Sequence, residues 1–180
     1  MKHLKRGGLH FRVCDPSWRD ALDTTFAARY GGRWNSPNTF GVLYLNATIA
    51  IAAANARRAF ENEIATLFDL RPEQRPDLQL VDVRLAPFVD SVTPAGLRAL
   101  KLPVHYPHGV SHEKCRQIGA RAYAARENGI ATRSNAEATR ETYLGEELAV
   151  FDTALALVAR LERRPFADWY PVEAPGRSTS

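Results

Sequence analysis

Apolar and polar positions alternate over residues 9–14 (LHFRVC), which predicts a strand that Asp15 and Pro16 end. Trp18, Leu22 and Phe26 recur every fourth position, a weak helical pattern over residues 18–28. Residues 30–37 (YGGRWNSP) read as a turn. Residues 40–45 (FGVLYL) form an apolar run short enough for a buried strand, and residues 46–48 can cap the helix that follows. That helix is predicted over 48–68 from its alanine content, and RPEQRP at 71–76 breaks it. Residues 78–85 predict a strand with Leu78, Leu80 and Val83 inward. Thr93 and Pro94 open a short helix to about Lys101, and residues 102–109 form a loop with two prolines. Ser111 caps a helix that Asn128 and Gly129 stop. Residues 130–134 and 147–151 predict strands on either side of a polar loop at 135–143. Leu155, Val158 and Leu161 predict a last helix over 153–164.

Strands and helices interleave without a regular βαβ rhythm. The fold class expected is α+β, a mixed sheet of short strands flanked by helices. The boundaries follow as one domain over 1–164 and an irregular, aromatic-bearing tail over 165–180. Phe166, Trp169 and Tyr170 in that tail either pack back on the domain or form an interface with a partner.

The chain has 180 residues, 45% of them hydrophobic and 24% charged, which excludes a largely disordered chain and suits one sizeable core. No apolar run approaches the roughly 18 residues of a membrane span. The basic start leads into no apolar signal core, and two cysteines, Cys14 and Cys115, cannot build a disulfide framework. A cytoplasmic protein is expected. The net charge of +4 comes mostly from arginine, whose planar fork suits phosphate, but nothing in the spacing demands nucleic acid.

Chemistry concentrates in residues 30–55. Arg33 lies in the glycine-rich turn, Tyr44 on the next strand, and a helix N-terminus follows. A guanidinium and helix-end amides attract phosphate, and a ring can stack on a base. Spacing alone leaves open the plainer alternative that Arg33 pairs with a surface carboxylate and Tyr44 is a core residue with one wet end.

The run Arg29-Tyr30-Gly31-Gly32-Arg33-Trp34-Asn35-Ser36-Pro37, followed by Gly41-Val42-Leu43-Tyr44-Leu45, resembles the RES domain. Phe11-Arg12 is similar to that family's opening strand. Gly129-Ile130-Ala131-Thr132-Arg133-Ser134 is similar to the strand that leads to its serine, and Leu148 to Phe151 to its final strand. The likeness spans residues 9–152. It implies a fold like the diphtheria-toxin-type ADP-ribosyltransferases and a toxin that consumes NAD+. It also implies a cognate antitoxin with an Xre-like DNA-binding region covering the NAD+ cleft, and no direct contact of this chain with nucleic acid or membrane. Residue by residue, it places Arg33 on the phosphates, Tyr44 in stacking and Ser134 on ribose or catalytic geometry, with Arg12 as a second phosphate contact.

The family glutamate, eleven positions beyond the tyrosine, falls here on Asn55, which has no charge and cannot act as a base. The candidates for a replacement carboxylate are Glu137, preferred for its polar loop after Ser134, then Glu146 or Glu147, then Glu61 or Glu63. Without the helix glutamate, transfer of ADP-ribose to a protein acceptor is favoured over degradation by water or phosphate, and an inactive binding module is the third reading. His105, His108, His112 and Cys115 match no common zinc spacing, neither cysteine sits in an activating motif, and His10 is expected to be structural.

Overall fold

The structure, a computed structural model, describes residues 1–61 and 64–171. Six strands, β1 (His3–Cys14), β2 (Val42–Asn46), β3 (Asp77–Ser91), β4 (Gly129–Arg133), β5 (Glu146–Phe151) and β6 (Val158–Arg164), run in the order β1-β2-β5-β4-β3-β6, and β1 also pairs with β3. The α+β expectation and its mixed sheet of mostly short strands therefore hold. The long β3 does most to shape the sheet. It lies antiparallel to β1 from His3↔Val89 to Cys14↔Asp77, antiparallel to β6, and parallel to β4 at Val89↔Ile130. One further pair, Phe11↔Asn46, joins β1 to β2 and closes the ring of pairings.

Strands β2, β5 and β4 carry an apolar residue at nearly every position because both faces are covered. Leu43, Leu45, Leu148 and Val150 pack with Val81, Val83 and Phe88 of β3. On the other face Val42, Ala149, Phe151 and Ile130 meet Trp34 and helix α4 (His112–Ala124) through Cys115, Ile118 and Ala122. Burying each large side chain contributes roughly 1.5–3 kcal/mol. With period two, that second face continues to Asn46 on β2 and Glu147 on β5, which are register partners. A core-facing surface thus ends in two polar groups.

Helix α2 (Ile49–Arg58) is capped by Thr48, whose side chain accepts from Ile51 N, and stops ten residues short of the predicted end. Phe60 N and Glu61 N bond to carbonyls three residues back. The chain then turns so that Phe60, Leu67 and Leu70 roof the cluster of Phe11, Ala53, Leu78 and Phe166. That tertiary gain overrides helix propensity. Helices α1 (Thr25–Tyr30) and α3 (Pro94–Ala99) are single short segments, so most of the weak helix at 18–28 is turn.

The helix predicted over 153–164 does not form. A 3-10 turn, Asp152–Leu157, leads into β6, which pairs with β3 from Val83↔Val158 to Leu78↔Arg164. The β3 edge needs a partner, and Arg163 binds Asp77 at 2.8 Å besides three carbonyls at residues 15, 16 and 18. Leu161 of the supposed apolar stripe is 54% exposed. Beyond β6, Phe166, Trp169 and Tyr170, on and just after α5 (Phe166–Trp169), are buried against the domain, and Trp169 Nε1 donates to Pro76 O at 3.0 Å. The aromatics of the tail pack back. Residues 172–180 of that tail lie outside the described residues.

The 31–37 loop is pressed onto α4 at Gly119, where a Cβ would stand 1.7 Å from the Trp34 carbonyl oxygen. Alanine is normally the better helix residue by about 1 kcal/mol. Here Gly119→Ala is expected to destabilise the fold by about 3 kcal/mol through forced displacement of the loop. A denaturant midpoint equal to or above wild type would show that this contact is not tight.

Candidate active site

The hydroxyl of Tyr44 holds the glycine-rich loop. It accepts from Trp34 N at 3.0 Å and donates to Asn35 Oδ1 at 3.0 Å. Asn35, fully buried, donates in turn to the carbonyls of Ala27 and Phe40. Burial pushes the Tyr44 phenol up, so it stays protonated and able to donate. Gly32 is required beside it, because a Cβ there would lie 2.3 Å from the Tyr44 oxygen. Tyr44 was expected to stack. Its ring does line the cleft, but its hydroxyl anchors the loop that carries Arg33.

A cleft of about 460 Å³ is lined by Arg12, Trp18, Arg33, Tyr44, Asn46, Asn55 and Glu147, among others. That size is ordinary for a small-molecule site. Ser134, fully buried just after β4, donates from Oγ to Glu147 Oε1 at 2.6 Å and accepts from Ala136 N at 3.1 Å. Asn55 on α2 donates from Nδ2 to the same Oε1 at 2.9 Å and to Asn46 Oδ1 at 2.8 Å. One oxygen of Glu147 is thus fixed from two sides. Among the described residues Oε2 takes no hydrogen bond.

Of the carboxylates weighed from sequence, the geometry brings only Glu147 into this cleft among the described residues. Glu137, the preferred one, is corrected: it reaches outward to Arg57 at 2.5 Å with 53% of its side chain exposed, a solvated ion pair beyond α2. A left-handed backbone at Glu137, φ +55, aims it there. Glu146 is spent on a bidentate pair with Arg6, 2.7 and 3.0 Å, that ties β5 to β1 and raises the Arg6 pKa. Glu61 is an exposed partner of Arg58 at 3.8 Å, and Glu63 lies outside the described residues. The signal that pointed to Glu147 was faint: one of two adjacent acids at the polar end of a strand otherwise apolar.

Arg12 on β1 and Arg33 both border the cleft. Each has a buried Nη1 with no hydrogen-bond partner among the described residues. Arg12 also spans to Asp23 O at 3.1 Å and lies 5.4 Å from the Trp18 ring centre. Its burial lowers its pKa, while Asp20 and Asp23 oppose the shift. His10 is buried, binds the Gly8 carbonyl at 3.0 Å and borders a different hollow. Cys14 and Cys115 are buried, and burial raises both thiols. Among the described residues no three histidine, cysteine or carboxylate side chains gather as a metal site.

The fold and cleft define a mixed-sheet α+β domain whose basic, aromatic cleft carries one fixed carboxylate among the described residues. The family model described as RES domain matches residues 10–169, and the chain belongs to that family. The chain is similar to the NAD(+) phosphorylase MbcT of Mycobacterium bovis and of Mycobacterium tuberculosis, 29% identical over 112 residues in each case. These alignments cover 62% of this chain and 60% of the relative, so the chain spans less than two thirds of the length of those proteins. Among solved structures, the crystal structure of the M. tuberculosis MbcT–MbcA toxin–antitoxin complex superimposes with a TM-score of 0.73 at 22% identity, covering 89% of this chain and 85% of that one. That likeness establishes the fold. No helix among the described residues is long and apolar enough to cross a membrane.

Removing the Tyr44 hydroxyl leaves Trp34 N–H and Asn35 Oδ1 unpaired. Tyr44→Phe is therefore expected to cost about 1–3 kcal/mol of stability, read from thermal or denaturant unfolding. Unchanged stability would return Tyr44 to a purely stacking role.

Proposed function

We propose that this chain is the toxin of a toxin–antitoxin pair and that it breaks the nicotinamide–ribose bond of NAD+, with inorganic phosphate as the acceptor. The observation that carries the reading is Glu147, a carboxylate held beside Ser134 and Asn55 in a cleft that Arg12, Arg33 and Tyr44 also border. The family membership and the NAD(+) phosphorylase activity for which the mycobacterial relatives are named support it.

Departure of nicotinamide leaves positive charge on C1′ and the ring oxygen of the ribose. A carboxylate fixed before the reaction stabilises that charge without reorganising. Glu147 Oε2 is the atom assigned to it, or to the ribose hydroxyls. Ser134 and Asn55 act through Glu147 and are positioning residues. Arg12 and Arg33 hold the dinucleotide phosphates, and Trp18 and Tyr44 offer ring faces for the bases. A cognate Xre-like antitoxin that covers this cleft would silence it, as the resemblance implies. The structural neighbour solved as a toxin–antitoxin complex is consistent with a partner of that kind.

Transfer of ADP-ribose to a protein is the second reading. It drew its preference from the missing helix glutamate, and Glu147 weakens that argument by returning a carboxylate to the cleft. An exposed aromatic rim of Phe26 and Tyr30 beside the cleft leaves room for a protein acceptor.

Incubation with NAD+ and phosphate, following nicotinamide and the ribosyl product, tests the choice. ADP-ribose 1″-phosphate without any added protein supports phosphorolysis. Turnover only with a protein acceptor supports transfer, and no turnover under any condition leaves a binding module. Glu147→Gln, which keeps both accepted hydrogen bonds and removes the charge, is expected to lower turnover at least about tenfold, roughly 1.4 kcal/mol. Glu137→Gln is expected to stay within about twofold of wild type. The reverse result would move the acid to the 135–143 loop.

Restoring the family residue gives a sharper test. Asn55→Glu would replace a donor to Glu147 by a second carboxylate, and two carboxylates at hydrogen-bond distance cannot both ionise freely. Activity is expected to fall. A rise above wild type would show that the helix position remains the proper seat of the acid.

A further inference from the structure

Around Arg33, which borders the cleft and is placed above on the dinucleotide phosphates, four further side chains remain unused by this reading. Arg33, Arg58 on α2, Asn135, and Arg116 and His112 on α4 gather at one wall. With its amide turned to satisfy its neighbours, Asn135 Oδ1 accepts from Arg58 Nη1 at 2.5 Å, Arg58 Nη2 at 2.6 Å and Arg33 Nη2 at 2.8 Å. Two guanidinium groups thus converge on one neutral oxygen. Arg116 stands close by, its Nε donating to Gly32 O at 2.9 Å. Burial, then the charges of Arg33, Arg116 and Arg58, lower the His112 pKa, which keeps that ring neutral. Among the described residues the one carboxylate paired with any of these groups is Glu61, at 3.8 Å from Arg58 and mostly exposed.

Like charges facing each other in a partly desolvated wall repel, and a neutral amide oxygen offsets little of that. A tetrahedral anion offsets it well, because the planar forks of two arginines match its oxygens bidentately. Helix α4, thirteen residues long, begins at His112 and adds the positive end of its dipole to the same wall. Arg58 and Asn135 also border a hollow of about 490 Å³, alongside Arg57, His108, Glu61 and Glu137.

We propose that Arg58 and Asn135, with the Nη2 edge of Arg33 shared between them and the dinucleotide phosphates, form the subsite for the inorganic phosphate that attacks the ribose, an inference that rests on the phosphorolysis reading above. In that step an unprotonated oxygen of HPO4²⁻ forms a bond to C1′ of the nicotinamide ribose. The C1′–N bond breaks, and its electron pair passes to the pyridinium nitrogen, which leaves as neutral nicotinamide. The phosphate keeps its proton, so no base is needed to generate the nucleophile. Asn135 then exchanges roles: its oxygen yields the two arginines to the phosphate.

Two substitutions test this, Arg58→Gln and Asn135→Asp. The second is nearly isosteric, places a fixed carboxylate between the arginines, and is expected to fold at least as stably as wild type. Nicotinamide release is measured against phosphate at saturating NAD+, and against NAD+ at saturating phosphate. Both variants are expected to raise the KM for phosphate at least tenfold, to leave the KM for NAD+ within about twofold, and to shift product from ADP-ribose 1″-phosphate towards ADP-ribose. A rise in the NAD+ KM with an unchanged product ratio would overturn the assignment and give the cluster to the dinucleotide pyrophosphate. Equal loss of both products would also overturn it. Titration of inorganic phosphate, followed by 31P line broadening, separates the subsite from the activity. Binding by wild type that Asn135→Asp abolishes supports the subsite even if the protein consumes no NAD+. No phosphate binding by folded wild type overturns it.

Discussion

Glu147 Oε1 receives hydrogen bonds from Ser134 Oγ and Asn55 Nδ2, and these two contacts join three separate parts of the chain. Ser134 follows β4, Glu147 is the second residue of β5, and Asn55 sits on α2. Asn55 also holds Asn46 at the end of β2, the register partner of Glu147. Hydrogen bonds to a charged acceptor are each worth about 1.5–3 kcal/mol, and here they fix direction as well as energy. The acid cannot swing towards solvent, and its other oxygen stays available. Everything else in the cleft is arranged around a carboxylate whose position is set by the sheet.

The glycine-rich loop is the second constraint, and it is clamped from two sides. Tyr44 takes its Trp34 N–H, while Gly119 of α4 lets the Trp34 carbonyl come close. A bulkier residue at Gly32 would strike the Tyr44 oxygen, and one at Gly119 the carbonyl. Arg33 is therefore presented from a rigid loop, next to a fully buried tryptophan, and not from a mobile one. Such precision is what the contact with phosphate oxygens proposed for Arg33 requires.

Much of this arrangement was legible in the chain. The apolar run at 40–45, the alanine-rich segment after it and the GGRWN turn located β2, the start of α2 and the Arg33 loop, because local chemistry decides them. The failures came where tertiary contacts decide. Residues 158–164 carry a helix-like spacing of Val158 and Leu161, yet the open edge of β3 and the Asp77 partner of Arg163 draw them into a strand. Helix α2 ends early because Phe60 gains more from the Leu67 and Leu70 roof than from another turn. The choice of Glu137 followed proximity along the chain to Ser134. The neighbour in space is thirteen residues away, brought back by the β4–β5 pairing that sets Thr132 beside Glu147. Sequence distance carried no sign of that pairing, since the loop between the strands is mostly polar and has no turn signal that fixes a hairpin register.

The substitution at position 55 makes sense once charge is followed in space. A carboxylate on α2 and one at Glu147 would compete for the same donors, and Ser134 can satisfy only one. With asparagine on the helix, the second carboxylate becomes a donor, and the single negative charge sits on the strand. An anionic nucleophile makes that economy favourable. Phosphate needs no base to lose a proton, and each further carboxylate near it would repel it. Arg33, Arg58 and Arg116 stand near one another, and among the described residues only the mostly exposed Glu61 pairs with them. In the reaction proposed above, the negative charge of Glu147 serves the developing cation and this basic cluster serves the anion that attacks it. A water nucleophile would want a carboxylate base beside the attacking oxygen, and among the described residues the one carboxylate paired with that cluster is Glu61, mostly exposed and turned to Arg58.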